Sequence, residues 1–282
     1  MEEEYTGYRE VCTSDNELAM MYEHPGENRY GLLPNQYLIA RSCPIDEKAG
    51  SVIDTFKWTG EKHVRVPFKQ VNNRFIGKVK PRNVHQQLAI DMLYDANSTV
   101  NIVYGKYGSG KNSIMSAVAM DLIERGKFEK IVFVRNNIEV KDSKPIGYLP
   151  GSYHEKLLPF AMCLSDHTGG IDGLELLINQ GKIEPIHLGF IRGRDIKNSI
   201  IHCSEAENMT REHIQLLISR VGEGSVLWLD GDFRQRDAAI FEKNSGLAAA
   251  INKLKGHPRF ACVKLMKTER SETAAMADLL DD

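Results

Sequence analysis

The rhythm of apolar positions along the chain changes near residue 80. Before it, Asp15–Glu23 reads as a short helix with Leu18 and Met21 inward, followed by brief β-like runs at 37–40, 52–56 and 64–66. Polar turns such as His24-Pro25-Gly26 and Thr59-Gly60-Glu61 separate these pieces. After it, strand-like runs at 100–104, 131–134, 200–203, 226–229 and 262–265 alternate with helical spacing. The helical faces are Leu88, Met92 and Leu93; Ile114, Val118 and Leu122; 174–178; Ile214, Leu217, Ile218 and Val221; and Leu247, Ala250, Ile251 and Leu254. A turn-rich loop falls at 146–151. Strand–helix alternation predicts an α/β fold whose mainly parallel sheet is covered on both faces, with ligand loops at the strand C-termini. Two domains follow: a small β-rich module over 1–80 and an α/β domain over 81–282. The first is read as a structural cap in preference to an oligonucleotide-binding barrel.

One stretch organises the second domain. The run at 100–104 leads into Gly105, Lys106, Tyr107, Gly108, Ser109, Gly110 and Lys111, and then into a helix closed by Gly126. Glycines let the backbone wrap so that its N–H groups point inward, the helix N-terminus adds positive potential, and the lysine reaches the outer phosphates. This is a P-loop, and residues 105 to 113 are its expected phosphate contacts. The pattern calls for Ser or Thr directly after the lysine, because that hydroxyl ligates Mg²⁺. Here the residue is Asn112, with Ser113 one place later. Phosphate binding is expected to be intact and metal binding weakened.

Composition narrows the classes. The chain has 282 residues, 26% charged and 42% hydrophobic, with a net charge of −2. No global basic field recruits nucleic acid, so any such contact must be local. The basic residues Lys127, Lys130, Arg135, Lys141 and Lys144 are read as a solvated face rather than a nucleic-acid path. Five cysteines without paired spacing predict neither a zinc site nor a disulfide framework, as in a reducing cytosol. The acidic start MEEEYTGYRE has no apolar run, so no secretory leader is expected, and no stretch is long and apolar enough to span a membrane.

Three further stretches follow strands. In IIHCSEAEN (200–208), Glu205 suits the residue that orients an attacking water, while Ser204 stands where a P-loop enzyme places a metal-binding Asp. A serine cap before an acidic first turn is the plainer reading. In LDGDFRQRD (229–237), Asp232 and Gln235 suit a γ-phosphate sensor. Asp230 and Asp232 are extra carboxylates, either of which could stand in for the missing one. In KTERS (267–271), Arg270 suits an arginine finger, acting in cis or from a neighbour.

With PRNVHQ (81–86), GKYGSGKN (105–112), IGYLPG (146–151), FIRGR (190–194), NSIIHCSEAEN (198–208), SRVGEG (219–224), LDGDFRQRD (229–237) and TERS (268–271) in order, the chain closely resembles the PhoH-like ATPases, relatives of the superfamily-one helicases. YGLLPNQYLIA (30–40) resembles the segment before the ATPase core of longer members, some of which carry a nuclease-type domain not expected here. The resemblance implies a RecA-like core that binds ATP and Mg²⁺, forms hexameric rings, works in the cytoplasm of a bacterium or for a phage, and acts on single-stranded RNA or DNA. It implies Gln86 as adenine reader, Lys111 as phosphate lysine, Glu205 as catalytic base, Asp232 and Gln235 as sensor, and Arg270 as finger. It leaves Asn112, Ser204 and Glu205 as the metal contacts, and Arg192 and Arg194 for subunit contact or phosphate sensing. Measured against the family pattern, Asn112 replaces Thr, Ser204 replaces Asp, Glu207 replaces Gln and Asp230 replaces Thr. The expected activity is ATPase with a degenerate metal site; the second reading is a nucleotide-binding scaffold with little turnover. A third, a nucleic-acid module built on residues 1–80, is disfavoured by the near-neutral charge.

Overall fold

In a computed structural model the described residues are 4–43, 50–75, 77–135, 158–159, 161–235 and 239–269. Twelve strands and seven α-helices are described among them, with three short 3₁₀ turns at Met162–His167, Leu188–Phe190 and Ala206–Asn208. The central feature is a six-stranded, all-parallel sheet of β7 (Val100–Gly105), β8 (Lys130–Arg135), β9 (Ile183–His187), β10 (Ser199–Ser204), β11 (Val226–Gly231) and β12 (Phe260–Leu265). Its order is β12-β7-β11-β10-β8-β9. The strand before the P-loop is thus flanked by β11 and β12, and β10 lies one strand further out.

Successive residues of each strand feed opposite cores. Val103, Ile131, Phe133, Ile200, Trp228 and Val263 pack with α2 (Val84–Tyr94), α3 (Lys111–Glu124) and α4 (Gly170–Asn179). Their neighbours Ile102, Val132, Val134, Ile201, Leu227 and Cys262 pack with α5 (Arg211–Ile218) and α7 (Gly246–Leu254). A parallel sheet buried on both faces needs such unbroken apolar strands, which is why 131–134 and 226–229 are continuous. Truncating a core Leu or Ile here costs about 2–5 kcal/mol. The short α6 (Ala239–Lys243) precedes α7.

The N-terminal region forms an open sheet, not a barrel. β1 (Tyr8–Cys12) pairs parallel with β2 (Tyr37–Arg41), and β3 (Val52–Trp58) and β4 (His63–Arg65) continue antiparallel. α1 (Asp15–Glu23) closes one side with Met21 buried as expected, and its start carries a capping box between Ser14 and Glu17. A hairpin of β5 (Val71–Asn73) and β6 (Gly77–Val79) lies against α3. Tyr8, Tyr37, Ile39, Val66 and Val71 belong to the same apolar cluster as α2 and α3. Asn35 Nδ2 donates to Pro258 O at 2.8 Å and Phe260 O at 3.0 Å, while Met21, Leu32, Leu38, Phe56 and Trp58 form a separate cluster.

The cysteine expectation is corrected here. Cys12 and Cys43 form a disulfide with a Cα–Cα distance of 4.9 Å. Their separation of 31 residues carries no signal in sequence, but parallel pairing sets Cys12 opposite Arg41, two residues before Cys43. Cys163, Cys203 and Cys262 are not disulfide-bonded. Among the described residues no helix is long and apolar enough to cross a membrane.

Candidate active site

The P-loop turns where β7 ends. Gly105 approaches β12 so closely that a Cβ would meet Leu265 O at 2.3 Å. Gly110 has φ +90°, and a Cβ on it would sit 2.9 Å from Gln86 Nε2. Helices α1, α2, α5 and α7 begin with a side chain (Ser14, Asn83, Thr210, Ser245) that accepts from a first-turn N–H. α3 begins with Gly110 and has no such cap, leaving its first N–H groups for an anion. Lys111 Nζ donates to Gly105 O at 2.8 Å and Lys106 O at 3.1 Å, within the loop itself.

Across from it stand the ends of β10 and β11, parallel neighbours with Cys203 opposite Leu229. Glu205 follows β10 in the left-handed region at φ +57°, a strained position for a side-chain-bearing residue. Both its carboxylate oxygens are held by Arg135 from the end of β8, through Nε at 3.1 Å and through Nη2. Asp230 Oδ2 bonds His202 Nε2 at 2.8 Å, both residues being buried. Asp232 Oδ2 accepts from Tyr107 N at 2.7 Å and its Oδ1 from Arg234 N at 3.0 Å, which ties the P-loop tip to β11. Glu207 Oε2 accepts from Asp232 N at 3.0 Å.

Tyr107, Gly108, Gly110, Lys111, Asn112, Ser113, Glu205, Glu207, Asp230, Gly231, Asp232 and Gln235 line one cavity of about 360 Å³. Burial, with Asp230 and Glu205 nearby, pushes the Glu207 carboxyl up to about 8, so at neutral pH it is a neutral group. In that state it is an isostere of the Gln that the family pattern has at this position. The same loop borders a second cavity of about 490 Å³, lined among others by Lys78, Lys80, Arg82, Gln86, Ser113 and Glu269. Gln86 is fixed there, its Nε2 donating to Ser109 O at 2.9 Å and its Oε1 accepting from Arg82 N at 2.8 Å.

Of the predicted residues, Tyr107, Gly108, Gly110 to Ser113, Glu205, Asp232 and Gln235 therefore share the first cavity. Gly105, Lys106 and Ser109 form the loop's frame, and Ser204 ends β10 with its Oγ 3.4 Å from Asp230 Oδ1. Ser204 is no helix cap: Glu205 occupies that position at the following 3₁₀ turn. Arg270, the stretch 146–151, Lys141 and Lys144 lie outside the described residues. Glu269 donates its N–H to Gly108 O at 3.0 Å, so the chain up to that point lies against the P-loop. Arg194 does not join the site; it pairs with Glu184 of β9, as does Lys130. Nor does Arg135 belong to a solvated basic face, since it grips Glu205. That pairing and the His202–Asp230 bond escaped the sequence reading. A histidine in the apolar run of β10 was the available signal for the second.

The donor set fits Mg²⁺. Asn112 Oδ1 is buried without a partner, and carboxylate and hydroxyl oxygens of Asp230 and Ser204 lie at the neighbouring strand ends. No group of three His, Cys, Asp or Glu among the described residues is close enough to cage a metal. Mg²⁺ does not need one, because it binds through one or two protein oxygens, waters and substrate phosphates.

A family model described as PhoH-like protein matches residues 78–279. The chain belongs to the PhoH-like protein family. This PhoH-like chain is 32% identical to Protein PhoH2 of Bacillus subtilis over 99% of its own length and 65% of that protein's. It is 29% identical to Protein PhoH2 of Thermobispora bispora over 100% and 64% of the two chains. It thus spans just under two thirds of the length of these relatives. A solved chain titled Pif1 helicase from Candida albicans is 13% identical with a TM-score of 0.38, covering 72% of this chain and 44% of that one. The PhoH-like family and the α/β architecture expected from sequence are the ones found.

Proposed function

We propose that this chain binds ATP with Mg²⁺ and hydrolyses it, as an oligomeric ATPase acting on single-stranded RNA or DNA. The observation that supports the ATPase half most directly is the cavity in which Lys111 and the uncapped start of α3 face Glu205, Asp232 and Gln235. The loop N–H groups would take the phosphates, and Lys111 would leave its carbonyl partners for the outer phosphate oxygens. Glu205 accepts the proton of the attacking water, which requires its release from Arg135. Gln235, in the same cavity, is assigned to sense the terminal phosphate, and Arg270 is assigned the finger that neutralises developing charge. Gln86, in the adjoining cavity, is assigned to the adenine side. Asn112 and an oxygen at the ends of β10 and β11 would hold the metal; Mg²⁺, when bound, would supply charge neutralisation to the phosphates. Nucleic-acid action and a ring of copies are carried over from the family resemblance.

One observation favours the alternative of a nucleotide-binding scaffold with little turnover: both oxygens of Glu205 are occupied by Arg135. Turnover measured beside affinity separates the two readings. Lys111→Ala is expected to weaken binding of an ATP analogue by about 10- to 100-fold, the value of a charge-assisted contact. Unchanged binding in that variant would overturn the ATP site. Phosphate release that single-stranded RNA or DNA stimulates, and that salt suppresses, would support the nucleic-acid half.

A further inference from the structure

Four acidic side chains line the P-loop cavity, and the partners of their oxygens differ. Both oxygens of Asp232 accept backbone N–H groups, and both of Glu205 are taken by Arg135. Glu207 Oε2 accepts from Asp232 N. Asp230 is different. Its Oδ2 is fixed by His202, but among the described residues Oδ1 meets only Ser204 Oγ and Glu205 N, each at 3.4 Å. The residue is 3% exposed, so this lightly bonded oxygen is rigidly placed at the cavity wall. Asn112 lines the same cavity, and its Oδ1 is buried with no partner among the described residues. Two under-bonded oxygens on residues of one cavity are what a hard cation takes. Buried polar atoms otherwise find partners.

The strand register explains where the carboxylate comes from. Ser204 and Asp230 each follow the paired residues Cys203 and Leu229, so they sit side by side on β10 and β11. A hydroxyl ends the strand that a P-loop enzyme closes with a carboxylate, and the carboxylate stands on the next strand.

We propose that Asp230, with Asn112 Oδ1, holds the divalent cation of the bound nucleotide, and that His202 is the positioning residue that aims Asp230. The metal site is therefore transposed by one strand rather than lost. This rests on reading the cavity as an ATP site. His202 behaves as the outer partner that commonly orients a ligating group.

The test uses the full chain, a non-hydrolysable ATP analogue and Mn²⁺ followed by electron paramagnetic resonance. The wild type is expected to bind one Mn²⁺ with the analogue. Asp230→Asn is expected to weaken Mn²⁺ binding by about 10- to 100-fold while the analogue still binds in EDTA. Equal Mn²⁺ affinity in that variant, with the analogue bound, rejects Asp230 and leaves the ATP reading standing. A wild type that binds no analogue rejects both. Because Asp230 is buried, a second measurement avoids substitution altogether. Fe²⁺ bound with the analogue and treated with ascorbate and peroxide is expected to cut the wild-type backbone near 112 and near 230. Cuts near 112 without any near 230 overturn the proposal.

Discussion

The P-loop and the strand ends facing it share one cavity but are built differently. The loop works through its backbone: glycines at 105, 108 and 110, an uncapped helix start, and a lysine resting on its own carbonyls. All of that lies within a few consecutive residues. The opposite wall works through buried side chains that find partners on other strands, Arg135 with Glu205 and His202 with Asp230. The first kind of site rests on its glycines and one lysine. The second can exchange roles between neighbouring strands.

Substitutions on the two walls should therefore behave differently. The largest effect is expected from Glu205→Gln, which removes the base and should lower turnover by about 10²- to 10⁴-fold with analogue affinity retained. Steady-state phosphate release beside equilibrium binding checks this, and normal turnover would move the base elsewhere. On the loop wall, Gly110→Ala forces a Cβ into a left-handed position against Gln86. A loss of about 1–3 kcal/mol in stability, with weaker analogue binding, is expected from denaturant melts and titration. Affinity and stability both at wild-type level would show that the loop tolerates what its geometry forbids.

A further effect, confined to a pH window, concerns Glu207, whose carboxyl is raised by burial from 4.5 to about 8. Between those values the folded chain keeps a proton that the unfolded chain releases, so stability falls as pH rises through that window and levels off above about 8. Glu207→Gln removes the titration. Relative to wild type it should gain stability across that window with a slope of at most about 1.4 kcal/mol per pH unit. Parallel stability–pH profiles for the two chains would show that Glu207 is ionised in the fold.

The same contrast decides what could be read without coordinates. The helix faces of α3 and α7 and the continuous strands β8 and β11 follow from periodicity and lie where expected. β9 was missed because Pro185 and Glu184 interrupt an otherwise apolar run, and β1 because only Tyr8 of its five residues is buried. The loop wall was legible residue by residue. The opposite wall was legible in membership, with Glu205, Asp232 and Gln235 singled out, but not in pairing. Asp230 was visible only as a surplus carboxylate until the register set it beside Ser204. Likewise Cys12 and Cys43 meet through strand alignment, which their spacing does not encode.

The two outer strands of the six-stranded sheet bear on how copies of the chain can meet. At one margin, Lys264 N of β12 already donates to Thr6 O at 2.9 Å, so the N-terminal segment fills the place a foreign strand would take. At the other, β9 carries Pro185, which has no N–H to offer, and Glu184 tied to Lys130 and Arg194. Both edges of the sheet are therefore poor templates for strand addition by a second copy.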